Sequence, residues 1–211
     1  VSASPFDAPL LFDLTGRGEI SLTGADRAAF LHNLVTNDVK RLRPGDGCAA
    51  AFLTPKGKLL ADLTVLCAED ELILDCEPAL VGKLEALLKK YLIFNDVTIE
   101  DRTSGTGVLH LEGEGAGEIL RKVRGKEVPE TPHGHLSAYR FRVVRESRGG
   151  FEGFDLRVPR GELGALLSVL GPAGAAPSDV SLLESARIEA GIPRWGAELT
   201  EEVLPDEAGL P

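Results

Sequence analysis

Between residues 49 and 99 the hydrophobic pattern changes period twice, and this restricts the chain to a mixed α+β architecture. Apolar runs at 49–53, 58–68 and 71–76 have the length and alternation of strands and are separated by turn residues. Thr54-Pro-Lys-Gly57 places a glycine where a turn can require positive φ, and Glu69-Asp70 closes a hairpin. Pro78 then suits the first position of a helix, where its missing N–H costs nothing. Leu80, Leu84, Leu87, Leu88 and Tyr91 mark one helical face, and Val97-Thr-Ile-Glu returns to strand. The block is strand, hairpin, helix, strand.

The flanks follow the same logic. Leu10-Leu-Phe-Asp-Leu and Glu19-Ile-Ser-Leu-Thr read as strands on either side of a Gly16-Arg-Gly18 turn. Gly24-Ala-Asp26 opens a helix with Phe30, Leu31, Leu34 and Val35 at helical spacing, and Thr36-Asn37-Asp38 ends it. Further on, strands are expected at 106–112, 138–146 and 154–158. In the second of these, Arg140, Arg142 and Arg145 lie largely opposite Phe141 and Val143. Helices are expected at 116–123, 162–170 and 180–190, the last capped by Asp179 and stopped by Gly191. The expected organisation is a discontinuous first domain, 1–46 with 104–200, an inserted α+β domain, 47–103, and a tail, 201–211. Both domains are mixed antiparallel sheet and helix.

Charge and cysteine content narrow the function. With 211 residues, a net charge of -10 and 43 % hydrophobic residues, the chain suits a soluble globular protein. The acidic balance weighs against nucleic-acid binding, which needs a basic face. No apolar run approaches the roughly 20 residues that span a bilayer. The start lacks the basic flank and apolar stretch of a signal peptide, which argues for a cytoplasmic protein or a removed leader. Cys48, Cys67 and Cys76 form no C-x-x-C pair and sit in apolar strands, so they read as small buried hydrophobes. His32, His110, His133 and His135 read as surface residues, and no metal site is expected.

Four stretches together resemble the glycine-cleavage T-protein superfamily, and within it the YgfZ-type branch. They are Leu22-Thr-Gly-Ala-Asp-Arg-Ala-Ala-Phe-Leu-His-Asn-Leu-Val-Thr-Asn-Asp-Val39, Pro55-Lys-Gly-Lys-Leu-Leu-Ala-Asp-Leu63, Leu87-Leu-Lys-Lys-Tyr-Leu-Ile-Phe-Asn-Asp-Val-Thr-Ile99 and Arg187-Ile-Glu-Ala-Gly-Ile-Pro-Arg-Trp-Gly196. The resemblance implies a T-protein-like fold that binds tetrahydrofolate. It implies a role as an accessory protein in assembly or repair of iron–sulfur enzymes, with iron–sulfur client or assembly proteins as partners. The alternatives are a folate-dependent aminomethyltransferase and a non-enzymatic interaction module with a degraded pocket. The family's C-terminal β-barrel and its K-G-C-Y-x-G-Q-E motif are expected to be absent here, because the sequence ends at Pro211.

The resemblance also nominates residues. Asp62 matches the second acid of the T-protein's Asp-Asp-Leu hairpin, with Ala61 in place of the first. A carboxylate there can orient the folate amine and handle its proton. The bland alternative is a side chain pointing to solvent by strand alternation. Asp75 falls where the T-protein branch carries a polar pterin contact, since a carboxylate can accept two N–H bonds at once. It is otherwise a cap for the helix near Pro78. Arg187 could bind a folate carboxylate or steady Glu189, although two residues apart they do not face each other on a helix. Trp195 could stack on a planar ligand or belong to the core. Phe154 occupies the position of the T-protein's pterin-clamping Glu, which favours the YgfZ branch over the transferases.

Overall fold

The first two strands, β1 (Leu10–Asp13) and β2 (Gly18–Thr23), enter different sheets. The computed structural model describes residues 4–138 and 141–210. It divides into two compact units, Val1–Gly16 with Ser104–Ile192, and Arg17–Thr103 with Pro193–Pro211. The unit boundaries therefore fall at Gly16 and Ile192, where the sequence suggested 46 and 200. The reason is β2. It pairs antiparallel with β5 (Glu71–Cys76) on one side and β6 (Thr98–Asp101) on the other. Its Ile20 and Leu22 are fully buried in the core those strands share.

The second unit is a five-stranded antiparallel sheet in the order β3-β4-β5-β2-β6, with β3 spanning Gly47–Leu53 and β4 Leu59–Cys67. Alternation sends Ala61, Leu63, Val65, Leu72 and Leu74 to one face. There they meet Phe30 and Leu31 of α1 (Arg27–His32) and Leu84 and Leu88 of α2 (Val81–Tyr91). Tyr91, expected on the buried side of that helix, is 47 % exposed.

Helix α1 is shorter than its spacing suggests. After His32 the chain straightens, Val35 bridges to Phe52, and the Thr36 N–H donates to the Ala51 carbonyl. The Thr36 hydroxyl accepts from the Ala51 N–H, and the Asn37 amide donates to the Ala49 carbonyl. Thr36-Asn37 thus covers the backbone of β3, an edge strand whose polar groups would otherwise invite another chain. The terminal segment 193–210 belongs to the same unit. Leu199 is buried with Ala51 and Leu59, and the Leu59 N–H donates to the Val203 carbonyl.

The first unit is a six-stranded sheet in the order β11-β1-β7-β10-β9-β8, antiparallel except where β1 meets β11 (Ala176–Pro177). Its other strands are β7 (Thr106–Glu112), β8 (His135–Ala138), β9 (Phe141–Arg145) and β10 (Gly153–Pro159). The expected strand at 138–146 corresponds to β9, with β8 paired antiparallel beside it; Tyr139 and Arg140 lie outside the described residues. One face packs Leu109, Leu111, Phe154 and Leu156 against α3 (Ala116–Arg124) and α4 (Leu163–Leu170). The opposite face packs Phe12 against Leu183 and Ala186 of α5 (Val180–Glu189). Asp179 caps α5 as expected, accepting from the Ser181 N–H at 2.8 Å. Neither sheet closes into a barrel among the described residues.

Candidate functional site

The face of the second unit's sheet opposite α1 and α2 carries its charges. Asp62 and Thr64 project from the same face of β4, Thr64 stands directly opposite Asp75 on β5, and Asp75 stands opposite Glu19 on β2. Hydrophobic alternation on the other face determines this arrangement: once Ala61, Leu63 and Val65 are in the core, Asp62 cannot be.

Arg17, just before β2, organises the group. Its Nε donates to Asp75 Oδ1 at 3.0 Å and its Nη2 to Asp75 Oδ2 at 2.7 Å, a two-pronged pairing. Its Nη1 donates to Glu77 Oε1 at 2.5 Å. Glu77 leads into the turn Pro78–Leu80 without making a side-chain cap bond. Its second oxygen lies 3.7 Å from Arg194 Nη1. Asp75 is therefore a strand residue held by an arginine and not the cap of the helix near Pro78.

Asp62 differs from its neighbours. Its Oδ1 is shielded from solvent and lacks a hydrogen-bond partner among the described residues. Burial pushes its carboxyl up to about 6. Its own backbone hydrogen bond opposes this, Glu77 adds to it, Arg17 opposes it and Asp75 adds to it. An unpaired buried acceptor is costly unless something supplies a donor. Asp62 can accept an N–H bond when ionised and hold a proton near neutral pH.

Trp195 lies in the same unit, half-buried against both of its apolar clusters, with Lys83 Nζ 5.0 Å from the ring centroid. The same ammonium donates to the Leu60 carbonyl at 2.6 Å. One ring face thus already carries a cation.

Arg187 and Glu189 lie on α5, in the first unit. Arg187 is buried. Its Nε donates to Glu184 at 2.8 Å, Nη2 pairs with the same carboxylate, and Nη1 donates to the Ile192 carbonyl at 3.0 Å. Its steadying carboxylate is Glu184, one turn earlier, while Glu189 is exposed. Phe154 is sealed in the core of the first unit.

A second polar group escaped the sequence reading. His110, expected at the surface, is fully buried on β7. Its Nδ1 lies 2.8 Å from Asp155 Oδ1 and its Nε2 2.5 Å from Glu112 Oε2. Glu112 also accepts from the backbone N–H groups of Arg148, Gly149 and Phe151 at 2.8–3.0 Å. Arg148 pairs with Asp155 through Nε and Nη2 at 3.0 and 2.6 Å. Burial alone would lower the His110 imidazolium, but bonds to Asp155 and Glu112 outweigh it and hold the ring protonated above its ordinary value. Both carboxylates sit below theirs. The cluster anchors the loop 148–151, whose Phe151 ring stacks on Phe6 at 4.5 Å. Both His110 nitrogens and all four oxygens of Glu112 and Asp155 face another residue, so it is a structural cluster. The sequence carried no signal for it: His110 and Glu112 alternate with Leu109 and Leu111, the pattern of a strand with one solvated face, and that face is covered only when α5 packs beside Phe12. His135 is also buried.

The cysteines behave as small hydrophobes. Burial pushes the Cys76 thiol up to about 12 and Cys48 up to about 11. Among the described residues no group of three or more His, Cys, Asp or Glu is arranged to hold a metal ion. None of their helices is long and apolar enough to cross a membrane.

Comparison with known proteins gives the family and the fold. The model of the GCVT N-terminal domain matches residues 7–211. An aminomethyltransferase of Exiguobacterium sibiricum is 27 % identical over 95 % of this chain and 57 % of its own length. One from Bacillus pumilus is 30 % identical over 95 % and 58 %. The glycine cleavage system aminomethyltransferase T of Bartonella henselae shares the fold with a TM-score of 0.85 at 22 % identity. That match covers 94 % of this chain and 55 % of the other. The chain spans little more than half the length of these relatives.

Proposed function

This chain belongs to the GCVT N-terminal domain family, and on that premise we propose that it binds tetrahydrofolate, with Asp62 as the acceptor for a folate N–H. The observation that carries the reading is the solvent-shielded Asp62 Oδ1 without a partner. A reduced folate offers amine and pterin N–H donors, and a buried carboxylate is the complementary group. Asp75 acts in the same site through Arg17. Trp195 offers the site an aromatic wall.

Calorimetric titration of tetrahydrofolate against the wild type and Asp62→Ala tests this. The expected result is saturable binding by the wild type. A hydrogen bond to a charged group contributes about 1.5–3 kcal/mol, so the variant should bind roughly ten- to a hundredfold more weakly. Absence of binding by the wild type sinks the proposal, and equal binding by both proteins removes Asp62 from it.

For the finer function we favour an accessory role in assembly or repair of iron–sulfur enzymes, of the YgfZ type. The likeness of Thr36-Asn-Asp-Val39 and of residues 87–99 to that branch supports it. So does Phe154, a core side chain at the position of the transferase glutamate. The matched relatives are named aminomethyltransferases, which keeps transfer chemistry as the second reading. Single-turnover assays with an aminomethylated lipoyl protein separate the two. The accessory reading expects no methylene transfer to tetrahydrofolate, with lowered iron–sulfur enzyme activity in cells lacking the gene. Transfer that depends on Asp62 would establish the second reading.

A further inference from the structure

We propose that Arg17 is a positioning residue of the Asp62 site, holding Asp75 and Glu77 as fixed ion-pair partners so that Asp62 is the carboxylate that meets the ligand. The inference rests on the folate reading for its ligand but not for its geometry.

Asp75 presents both oxygens to Arg17, at 3.0 and 2.7 Å. Two adjacent N–H groups of a pterin would approach a carboxylate in that same two-pronged way. The guanidinium already fills the position. It is held from a second side by Glu77 at 2.5 Å, and the Arg17 and Asp75 side chains are only 13 % and 5 % exposed. Removing one member of such a pair leaves the other charge buried and uncompensated, so a ligand gains little by displacing it. Asp62 has the opposite character, with its shielded Oδ1 still to be satisfied. Ala51, its neighbour across β3, carries no polar side chain.

Arg17 is the cation that opposes the two carboxylates facing Asp62. From β5 and the residue after the following Cys76 come Asp75 and Glu77, both of which favour its protonated form. Arg17 favours its ionised form. Glu19 on β2 shares the face, and Arg194 reaches Glu77 from the terminal segment. Lys83 of α2 approaches β4 at the Leu60 carbonyl. Without Arg17, Asp62 would face two carboxylates with their main counter-charge gone. It would hold its proton to higher pH and cease to accept an N–H bond near neutrality.

The test is tetrahydrofolate titration from pH 5 to 9 with wild type, Arg17→Gln, Arg17→Lys and Asp75→Asn, alongside carboxyl carbon NMR of Asp62 in the free proteins. For the wild type, the Asp62 midpoint and the acid limb of binding are expected near 6. Arg17→Gln should move both upward. Arg17→Lys keeps the charge without the fork and should restore most of that shift. Asp75→Asn removes a carboxylate facing Asp62 and should lower the Asp62 midpoint. An unmoved midpoint in folded Arg17→Gln overturns the inference, as does a raised midpoint in Asp75→Asn. If Arg17→Gln fails to fold, the lysine and asparagine variants decide. If the wild type binds no folate, the ligand reading falls, and the NMR titration still judges Arg17.

Discussion

Replacing Glu112 by Gln should loosen the loop 148–151 and destabilise the protein measurably. The Glu112 carboxylate accepts three backbone N–H groups and lies 2.5 Å from His110 Nε2. A glutamine has one acceptor oxygen, and its amide would point hydrogens at backbone N–H donors. The protonated His110 would also lose one of its two buried counter-charges, leaving Asp155 shared with Arg148. Hydrogen bonds to charged groups are worth about 1.5–3 kcal/mol each, and breaking a buried pair costs about 3–5 kcal/mol. These overlap, so the expected loss is about 3–5 kcal/mol in total. For a chain of this size, that lowers Tm by roughly 6–20 °C. Thermal unfolding reads the global effect, and amide hydrogen exchange at Gly149 and Phe151 reads the local one. A Tm within about 2 °C of wild type, with both amides still protected, would refute the idea that this carboxylate holds the loop.

Three further outcomes follow from particular contacts. His110 is raised from its ordinary value of 6.5, so its contribution is complete below that value and fades as pH rises through its folded value. Glu112 and Asp155 are lowered from 4.5 and 3.8, so theirs is complete above those values and fades as pH falls. Denaturant titrations should therefore show greatest stability from this cluster between about 4.5 and 6.5, and His110→Leu should remove the alkaline decline. Cys76 and Cys48 should resist alkylation at pH 8 in the native protein and react in urea, since burial holds both thiols protonated; rapid native labelling of Cys76 would contradict its placement. Gly24→Ala should destabilise by about 1–3 kcal/mol, because φ is +106° and a Cβ would lie 2.2 Å from the Asp96 carbonyl oxygen; chemical unfolding measures it.

The positions of most strands and helices were readable because local patterns carry them. Alternation at 58–68 and 71–76, helical spacing at 80–88 and the Asp179 cap all correspond to observed elements. Partnership was not readable. The strands at 10–14 and 19–23 look like neighbours in the sequence, yet one pairs with β7 and the other with β5 and β6. No local property of Ile20 or Leu22 says which sheet will bury them. The same is true of Thr36-Asn37, whose composition reads as a helix end. Its hydrogen bonds to β3 depend on an edge that exists only after the sheet forms.

The candidate site divides in the same way. The sequence singled out Asp62 mainly through its match to the T-protein hairpin, with the cost of burying a carboxylate on an apolar strand as lesser support, and alternation put it on the face opposite Ala61 and Leu63. It also determined that the cysteines would be inert hydrophobes. Tertiary structure decided that Asp75 is already engaged by Arg17, a residue 58 positions away, and that Asp62 keeps an oxygen without a partner. It also decided that His110, unremarkable in the chain, lies buried between two carboxylates. Alternation and burial cost act over a few residues and leave their mark in the sequence. Charge pairing acts through space, and its partners are chosen only when distant strands meet.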